Sequence, residues 1–308
     1  MENLSPSNSN GGLSLGRFKL RSYFPIILLI VLCAVFGSLS DRFLTASNFS
    51  IVLQQTVTLL VVALGTTFVI IAGSIDLSVG SIVALSALMA ASTSGELGIW
   101  AIIPAALVGT LAGFLNGLIF AKGKVPSFMV TLGTMVAYRG IVLYFTRGAP
   151  VEITNRSFVS LYSGRTEGIP NAAIFAFVIV IIAFIILNYT VFGRQVRAIG
   201  GGERVALLTG IKVDRVKIIM FTLAGLLCGI GGLLQSARVY AATSQLGQGL
   251  ELDVIAAVVV GGTPLTGGIG SIPGTILGAF ITVILSNGMN MIGVDPYIQN
   301  IVMGIVLI

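Results

Sequence analysis

The chain has 308 residues, of which 56% are hydrophobic and only 9% are charged, whereas soluble domains are about 25% charged. These proportions leave too few polar side chains to cover a water-exposed globule, so they exclude a soluble domain. The net charge of +6 comes from basic residues gathered in a few loops, which indicates membrane orientation rather than a nucleic-acid partner.

The first 22 residues are polar and end in Arg17, Lys19 and Arg21, directly before the first apolar run. A secretory signal peptide would end in a small-residue cleavage site, and none is evident here. We therefore expect residues 1–22 to be a cytoplasmic tail and residues 23–308 to form a single transmembrane domain.

Ten segments with little or no formal charge follow this tail. About 20 apolar residues in a helix cross a hydrocarbon core of roughly 30 Å. The sequence therefore predicts an all-α polytopic membrane protein with about ten transmembrane helices. The segments lie at about 23–40, 50–72, 77–95, 98–121, 127–146, 169–192, 217–236, 254–268, 272–292 and 296–308.

The basic residues indicate which connections face the cytoplasm. If the amino terminus is cytoplasmic, 11 basic residues fall on the cytoplasmic side and five fall outside, with Arg139 inside the fifth segment. This is the bias that the positive-inside rule predicts. Arg139 would pair with an acid or reach towards the outer face, and we assign it no transport role.

Glycines recur every fourth residue in two segments. Such spacing places small residues on one helix face and lets backbones approach closely, so we expect these helices to pack against protein rather than lipid. The alternative is the general abundance of glycine in membrane helices. The two sets are Gly109, Gly113 and Gly117, and Gly270, Gly274 and Gly278.

The same two segments, the fourth and the ninth, share a weak sequence echo. They run in opposite directions in the predicted topology, so the echo favours an inverted internal repeat, as in many transporters. Coincidence is the alternative, because the spacings differ. The matching pieces are Gly109-Thr110, Asn116-Gly117 and Pro126 in one half, and Gly274-Thr275, Asn287-Gly288 and Pro296 in the other.

Residues 193–217 form a loop with eight charged residues between two apolar segments. Within it, good helix formers run from Glu203 to Thr209, and Gly210 supplies a helix stop. We predict a short helix on the cytoplasmic face that docks into another protein. The alternative is a solvated connector needed only for topology. The chain has no G-x-x-x-x-G-K-[ST] sequence, so any ATP energy would come from a partner.

Asp76 is the only acid well inside an apolar region, where an ionisable group is costly unless it is capped, paired or hydrated. One interpretation is that Asp76 lines a substrate route and binds sugar hydroxyls. The other is that residues 73–78 break the chain between two spans, with Asp76 or Ser74 capping the next helix.

Neutral hydrogen-bonding side chains lie in or beside several apolar segments and favour a neutral polar cargo over an ion. Taken singly, each could instead bond helix to helix. They are Gln54, Gln55, Asn116, Asn287, Asn290 and Gln299. The loop at 148–168 has a mixed-charge surface that could meet a substrate-delivering protein or simply be solvated. Its charged residues are Glu152, Arg156, Arg165 and Glu167.

Two runs resemble the permease subunit of ribose-type ABC sugar importers. One extends from Ala72 to Ser86, beginning AGSIDLSVGS, and the other from Gly249 to Leu265, GLELDVIAAVVVGGTPL. The resemblance continues through Asn287-Gly288-Met289-Asn290 and Tyr297-Ile298-Gln299 and covers roughly residues 40–308. The family chain normally continues into a short cytoplasmic tail, whereas this sequence stops at Ile308.

The resemblance implies a permease of the bacterial plasma (inner) membrane with about ten spans, no enzymatic activity and no cofactor of its own. Its partners would be a second permease copy, two cytoplasmic ATPase subunits that bind ATP and Mg, and a periplasmic or lipid-anchored sugar-binding protein. The implied ATPase-docking residues are Arg197, Gly201, Glu203, Arg204, Ala206, Gly210 and Ile211. Gly202, Arg204 and Val205 depart from the family pattern. The predicted substrate-pathway residues are Asp76, Asn116, Asn287, Asn290 and Gln299.

Other function classes fit the residues less well. A secondary transporter or channel for a small neutral solute is the first alternative, although proton coupling usually needs several buried acids or histidines. A membrane enzyme ranks lower, because the sequence lacks histidine, a G-x-S-x-G motif and paired carboxylates within a span. Cys33 and Cys228 are far apart within apolar segments, so neither a disulfide framework nor a metal site is expected.

Overall fold

The computed structural model describes residues 12–166 and 169–307. Helices dominate this part of the chain, in agreement with the predicted all-α class. Residues 1–11 of the predicted tail lie outside the described residues, and a helix already begins at Gly12. The helices are α1 Gly12–Leu39, α2 Ala46–Ile71, α3 Val79–Leu97, α4 Ile102–Gly123, α5 Ser127–Thr146, α6 Arg156–Ser163, α7 Asn171–Tyr189, α8 Val191–Gly201, α9 Glu203–Leu208, α10 Val213–Val239, α11 Leu250–Val260, α12 Ile272–Met291 and α13 Pro296–Leu307.

Within these described ranges, four strands of two residues each form two antiparallel pairs. They are β1 Val151–Glu152, β2 Arg165–Thr166, β3 Ile169–Pro170 and β4 Ala241–Ala242. β1 pairs with β4, with Val151 opposite Ala242, and β2 pairs with β3.

Six stretches of the described chain are long and apolar enough to cross a membrane. They are Ala46–Ile71, Val79–Gly123, Ser127–Thr146, Asn171–Tyr189, Val213–Val239 and Ile272–Met291. The 45-residue stretch contains α3 and α4, separated by a short 3-10 turn. α3 and α4 are antiparallel, because the side chain of Asn116 near the end of α4 reaches Ser78 at the start of α3. The protein is therefore multi-pass, while α1 and α13 contribute shorter apolar helices.

The predicted eighth span at 254–268 does not have the length of a crossing. α11 ends at Val260, and 11 residues at about 1.5 Å each cover only about half of a hydrocarbon core. Gly261 and Gly262 follow, and Gly262 has a φ of +95°, which ends the helix in a turn. α11 is thus a short helix that begins inside the bundle.

α2 lies at the centre of the bundle. Almost every residue from Thr56 to Ile71 is buried, whereas α5 and α7 expose large apolar side chains. α10 packs against α2 so closely that a Cβ at Gly65 would lie 2.9 Å from the Cα of Ala224. Apolar side chains on the outside and a buried, small-residue interior are the pattern of a bundle surrounded by lipid.

The glycine stripe of α4 packs against protein, as predicted. A Cβ at Gly109 would lie 2.6 Å from the Cα of Gly229, and one at Gly113 would lie 2.8 Å from the Cα of Gly225, both on α10. In the second set, a Cβ at Gly278 would overlap the backbone of α11 and one at Gly274 would overlap Gly261, whereas Gly270 precedes α12 and is not on its face. Only glycine permits these two helix pairs to approach so closely.

The loops gather at two ends of the bundle. At the α6 end, β1 pairs with β4, and the Tyr162 hydroxyl donates to the carbonyl of Gln54 at 2.7 Å. Burial raises the pKa of Tyr162 to about 12, with Arg238 beside it acting in the opposite direction, so the phenol remains a donor. At the α9 end, Lys122 bridges Asp214 at 3.1 Å.

Candidate functional site

A polar cavity of about 330 Å³ opens among five helices towards the α6 end. It lies between the first half of α2, the last turns of α10 and α12, and the first turns of α11 and α13. We call it the central cavity. Its lining residues are Gln55, Thr58, Leu59, Gln235, Arg238, Leu250, Asp253, Thr282, Val283, Ser286, Met289, Asn290, Gln299, Asn300 and Met303.

Neutral amides and hydroxyls supply most of the polar lining. Gln299 is largely buried, and its amide nitrogen donates to Asn290 Oδ1 at 2.8 Å and to the carbonyl of Val294 at 2.9 Å. These bonds fix the start of α13 against the end of α12. Thr58 is 3% exposed, and its hydroxyl has no hydrogen-bond partner among the described residues. An unpaired hydroxyl beside a cavity is a natural contact for a polar solute.

The structure thus divides the predicted pathway residues into two groups. Asn290 and Gln299, with Gln55, line the central cavity. Asn287 is buried beside it on α12, and its Oδ1 has no partner within the described chain. Asp76 and Asn116 lie elsewhere.

Asp76 lies in a non-helical break between α2 and α3, as the second interpretation of the sequence predicted, but the N-cap of α3 is Ser78 rather than Asp76 or Ser74 and has no side-chain capping bond. Its Oδ1 accepts a 2.9 Å hydrogen bond from the backbone nitrogen of Ser78 and a short one from the Ser78 hydroxyl. Ser78 Oγ in turn accepts from Asn116 at 2.8 Å, and Tyr138 donates to Asn116 Oδ1 at 3.3 Å. This buried network ties the break to α4 and α5. For Asn116 it corresponds to the helix-to-helix interpretation.

Arg139 binds a carbonyl pair rather than an acid. Its guanidinium donates to the carbonyls of Ser244 at 2.8 Å and Leu246 at 2.7 Å. These residues belong to the segment that leads from β4 to the start of α11. Arg139 therefore holds the connection that positions one wall of the central cavity.

At the opposite end, the predicted short helix is confirmed as α9, Glu203–Leu208. Gly210 follows with a φ of +83°, as expected for a helix stop. Gly200 and Gly201 form the end of the preceding helix α8. α9 exposes three large apolar side chains, with Val205 at 65%, Leu207 at 54% and Leu208 at 83%.

Most of the predicted docking residues are exposed, and one is buried. Gly201, Glu203, Arg204 and Gly210 are exposed, and Ile211 is partly so. Ala206, in contrast, is buried under α9.

Two of the predicted docking residues, Arg197 and Glu203, bind within the chain. Arg197 faces inward and donates to the Leu187 carbonyl and to Asn188 Oδ1, both at 2.9 Å. Glu203 accepts from Lys217 at 2.8 Å, and the Lys217 ammonium lies 4.4 Å from the centre of the Phe120 ring. These contacts fix α8 and α9 against the ends of α7, α10 and α4.

The charged side chains of the loop between α5 and α7 are exposed on the protein surface. Glu152, Arg156 and Arg165 are exposed, and Arg165 also donates to Ser50 Oγ at 3.0 Å. Glu167 lies outside the described residues.

Sequence reasoning missed Thr58, Gln235, Arg238, Asp253 and Ser286 as cavity residues. Gln235 and Arg238 are three residues apart near the end of an apolar helix, and that spacing places both on one face. The other three carry no such signal, because a single hydroxyl or acid beside an apolar run has many structural roles.

Comparisons with known proteins agree with this architecture. A family described as "Branched-chain amino acid transport system / permease component" matches residues 48–308. The chain is 40% identical over 289 residues to the ribose import permease protein RbsC of Escherichia coli (strain K12), covering 92% of this chain and 90% of that protein. It is 42% identical over 288 residues to the protein of the same name in Bacillus subtilis (strain 168), covering 92% and 89%.

A third relative is the xylose transport system permease protein XylH of Escherichia coli (strain K12), 32% identical over 371 residues, covering 99% of this chain and 94% of that protein. No solved structure matches the chain. The matched segment includes every helix that lines the central cavity. The chain therefore belongs to this family of permease components, as a multi-pass transport subunit of the inner membrane and not an enzyme.

Proposed function

We propose that this chain is the membrane-spanning permease subunit of an ATP-binding-cassette importer for a monosaccharide of the ribose class. An extracytoplasmic binding protein delivers the sugar. The observation that carries the proposal is the central cavity, whose amide and hydroxyl lining suits a neutral polyhydroxylated solute. Its volume of about 330 Å³ is within the range of small-molecule sites. The names of the relatives, which refer to ribose and xylose, support the same substrate class.

The energy source is a separate ATPase that binds ATP and Mg. The sequence contains no P-loop motif, and α9 offers an exposed apolar surface with Arg204 beside it. Three exposed aliphatic side chains on one short helix suit insertion into a cleft of a folded protein partner. α8 and α9 together are therefore the ATPase-docking segment, with the α9 end in the cytoplasm.

The topology consistent with this assignment has a cytoplasmic amino terminus, and the α6 end faces outward. Of the ten predicted segments, the eighth then contains α11 as a short helix within the bundle rather than a full crossing. The inverted repeat relates α4 to α12, and each of these helices packs its glycine stripe against a neighbour. A second permease copy completes the transporter, and the exposed loop that carries Glu152, Arg156 and Arg165 receives the binding protein.

Transport proceeds by alternating access. ATP binding draws the two ATPases together, and their movement passes through α8 and α9 to the helices around the central cavity. The chain performs no chemistry on the sugar.

Reconstitution in proteoliposomes tests the proposed function. Vesicles that contain this chain, its ATPase and the sugar-binding protein are expected to accumulate ribose only when ATP is present on the side of the membrane that carries the ATPase. Omission of any of the three proteins should abolish uptake. Ribose accumulation by the chain alone would contradict the proposal and indicate a secondary transporter.

Substitution in α9 tests the docking assignment. Leu208→Ser removes the most exposed aliphatic side chain of the helix, and we expect co-purification of the ATPase to fall at least tenfold. Lys124→Asn is the matched control, because Lys124 is exposed at the same end, lies outside α8 and α9, and has a left-handed conformation that asparagine tolerates. Equal recovery of the ATPase with both variants would contradict docking through α9.

A further inference from the structure

Two charged side chains line the otherwise neutral central cavity, Asp253 on α11 and Arg238 on α10. They do not form a salt bridge: the bridges within residues 12–166 and 169–307 are Lys122 with Asp214 and Lys217 with Glu203. Arg238 lies beside the hydroxyl of Tyr162 on α6 and interacts with it. Arg238 therefore already has a partner in the loop region.

Asp253, in contrast, has a carboxylate with no hydrogen-bond partner in the described part of the chain. It lies in the first turn of α11, two residues after Glu251, and is partly exposed to the cavity. The side chain of Glu251 lies close to Gly80 of α3, away from the cavity. Asp253 is thus the one carboxylate that faces the cavity among the described lining residues.

The surroundings of Asp253 are suited to hydroxyl groups. A carboxylate only accepts hydrogen bonds and can accept from two donors at once, which matches two adjacent hydroxyls of a sugar. Thr58 lines the same cavity, and its buried hydroxyl has no hydrogen-bond partner among the described residues.

We propose that Asp253 is a specificity-determining residue of this permease, and that its carboxylate binds a pair of adjacent hydroxyls on the sugar as it passes through the central cavity. The proposal rests on the proposed function. It adds a selection step within the permease, after the choice made by the binding protein.

The test compares ribose uptake by proteoliposomes that contain the complete importer with wild-type chain or with Asp253→Asn. Asparagine keeps the shape but removes the charge and one acceptor position. Loss of a charge-assisted hydrogen bond to a hydroxyl is expected to lower ribose uptake on the order of 10- to 100-fold. The binding protein is the same in both preparations, so its own selectivity cancels in the ratio.

Asp295→Asn is the matched control, because Asp295 is an exposed acid at the α6 end whose carboxylate accepts only from the backbone of Tyr297. It should import ribose at the wild-type rate. Asp253→Glu restores the carboxylate and should recover most of the uptake, which a purely structural loss would not do. ATPase co-purification should be equal in all variants.

The outcomes separate the two proposals. A wild-type importer that fails to import ribose with ATP overturns the proposed function and this inference together. A wild-type importer that works while Asp253→Asn imports ribose within twofold of it overturns the inference alone.

Discussion

The contact between α4 and α10 makes a quantitative prediction about Gly113. A Cβ at this position would lie 2.8 Å from the Cα of Gly225 and 3.0 Å from its nitrogen, and would overlap the carbonyl oxygen of Phe221. Ordinary contact begins at about 3.4 Å, so the two helices must separate by about 0.6 Å or more to admit an alanine. Backbone atoms cannot move aside as a flexible side chain can.

Gly133 on α5 provides the control, because a Cβ there would meet nothing within 4 Å. Both substitutions gain the same helix-forming preference of alanine over glycine, about 0.5–1 kcal/mol in water. The difference between the two variants therefore isolates the overpacking of α4 against α10. Overpacking of a dense interior costs about 1–3 kcal/mol.

Thermal stability of the purified protein in detergent measures this difference. We expect Gly113→Ala to unfold at a lower temperature than the wild type and Gly133→Ala at the same temperature or slightly higher. The double variant Gly113→Ala and Gly225→Ala should be less stable still. If Gly113→Ala and Gly133→Ala unfold together, the close α4–α10 contact does not exist as described.

Three further predictions concern the two ends of the bundle. Gly200→Ala would place a Cβ 2.5 Å from the backbone nitrogen of Gly268. We therefore expect sugar uptake to fall while the assembled complex continues to hydrolyse ATP. Unchanged uptake would contradict this contact. Lys217→Met removes the cation that holds Glu203 at 2.8 Å, and we expect weaker recovery of the ATPase in pull-downs; full recovery would show that the pair does not fix α9. Tyr162→Phe deletes a 2.7 Å hydrogen bond to α2, and the melting temperature in detergent should fall by an amount equivalent to about 0.5–1.5 kcal/mol; an unchanged value would mean that the bond contributes nothing net.

Local chemistry made several elements predictable from the sequence. Glycine at every fourth residue of α4 correctly indicated a helix side that faces protein, because this spacing places the small residues on one face and allows close backbone contact. Glu203 and Gly210 correctly bounded a short helix, since a first-turn acid and a left-handed glycine are local signals. The break around Asp76 was predicted from the cost of a buried acid.

Other features depend on the tertiary arrangement and left no local signal. The length of α11 was overestimated, because an apolar run through residues 254–268 does not reveal that Gly262 ends the helix. The central cavity forms where five helices converge, so Thr58 and Asp253 became neighbours only through packing. The sequence allowed Asn116 to contact a solute or to bond helix to helix, and the fold places Ser78 within reach of its amide, at 2.8 Å.

Ser286 lies in the central cavity on α12 and allows the most direct test of the proposed route. In a Cys33→Ala and Cys228→Ala background, Ser286→Cys is assembled into the complete importer and treated from the α6 side with a membrane-impermeant thiol reagent. Asp41→Cys in the exposed turn between α1 and α2 reports labelling outside the cavity. We predict that labelling of Ser286→Cys blocks ribose uptake while labelling of Asp41→Cys does not. Full uptake by an importer that is completely labelled at Ser286→Cys would contradict passage of the sugar through this cavity.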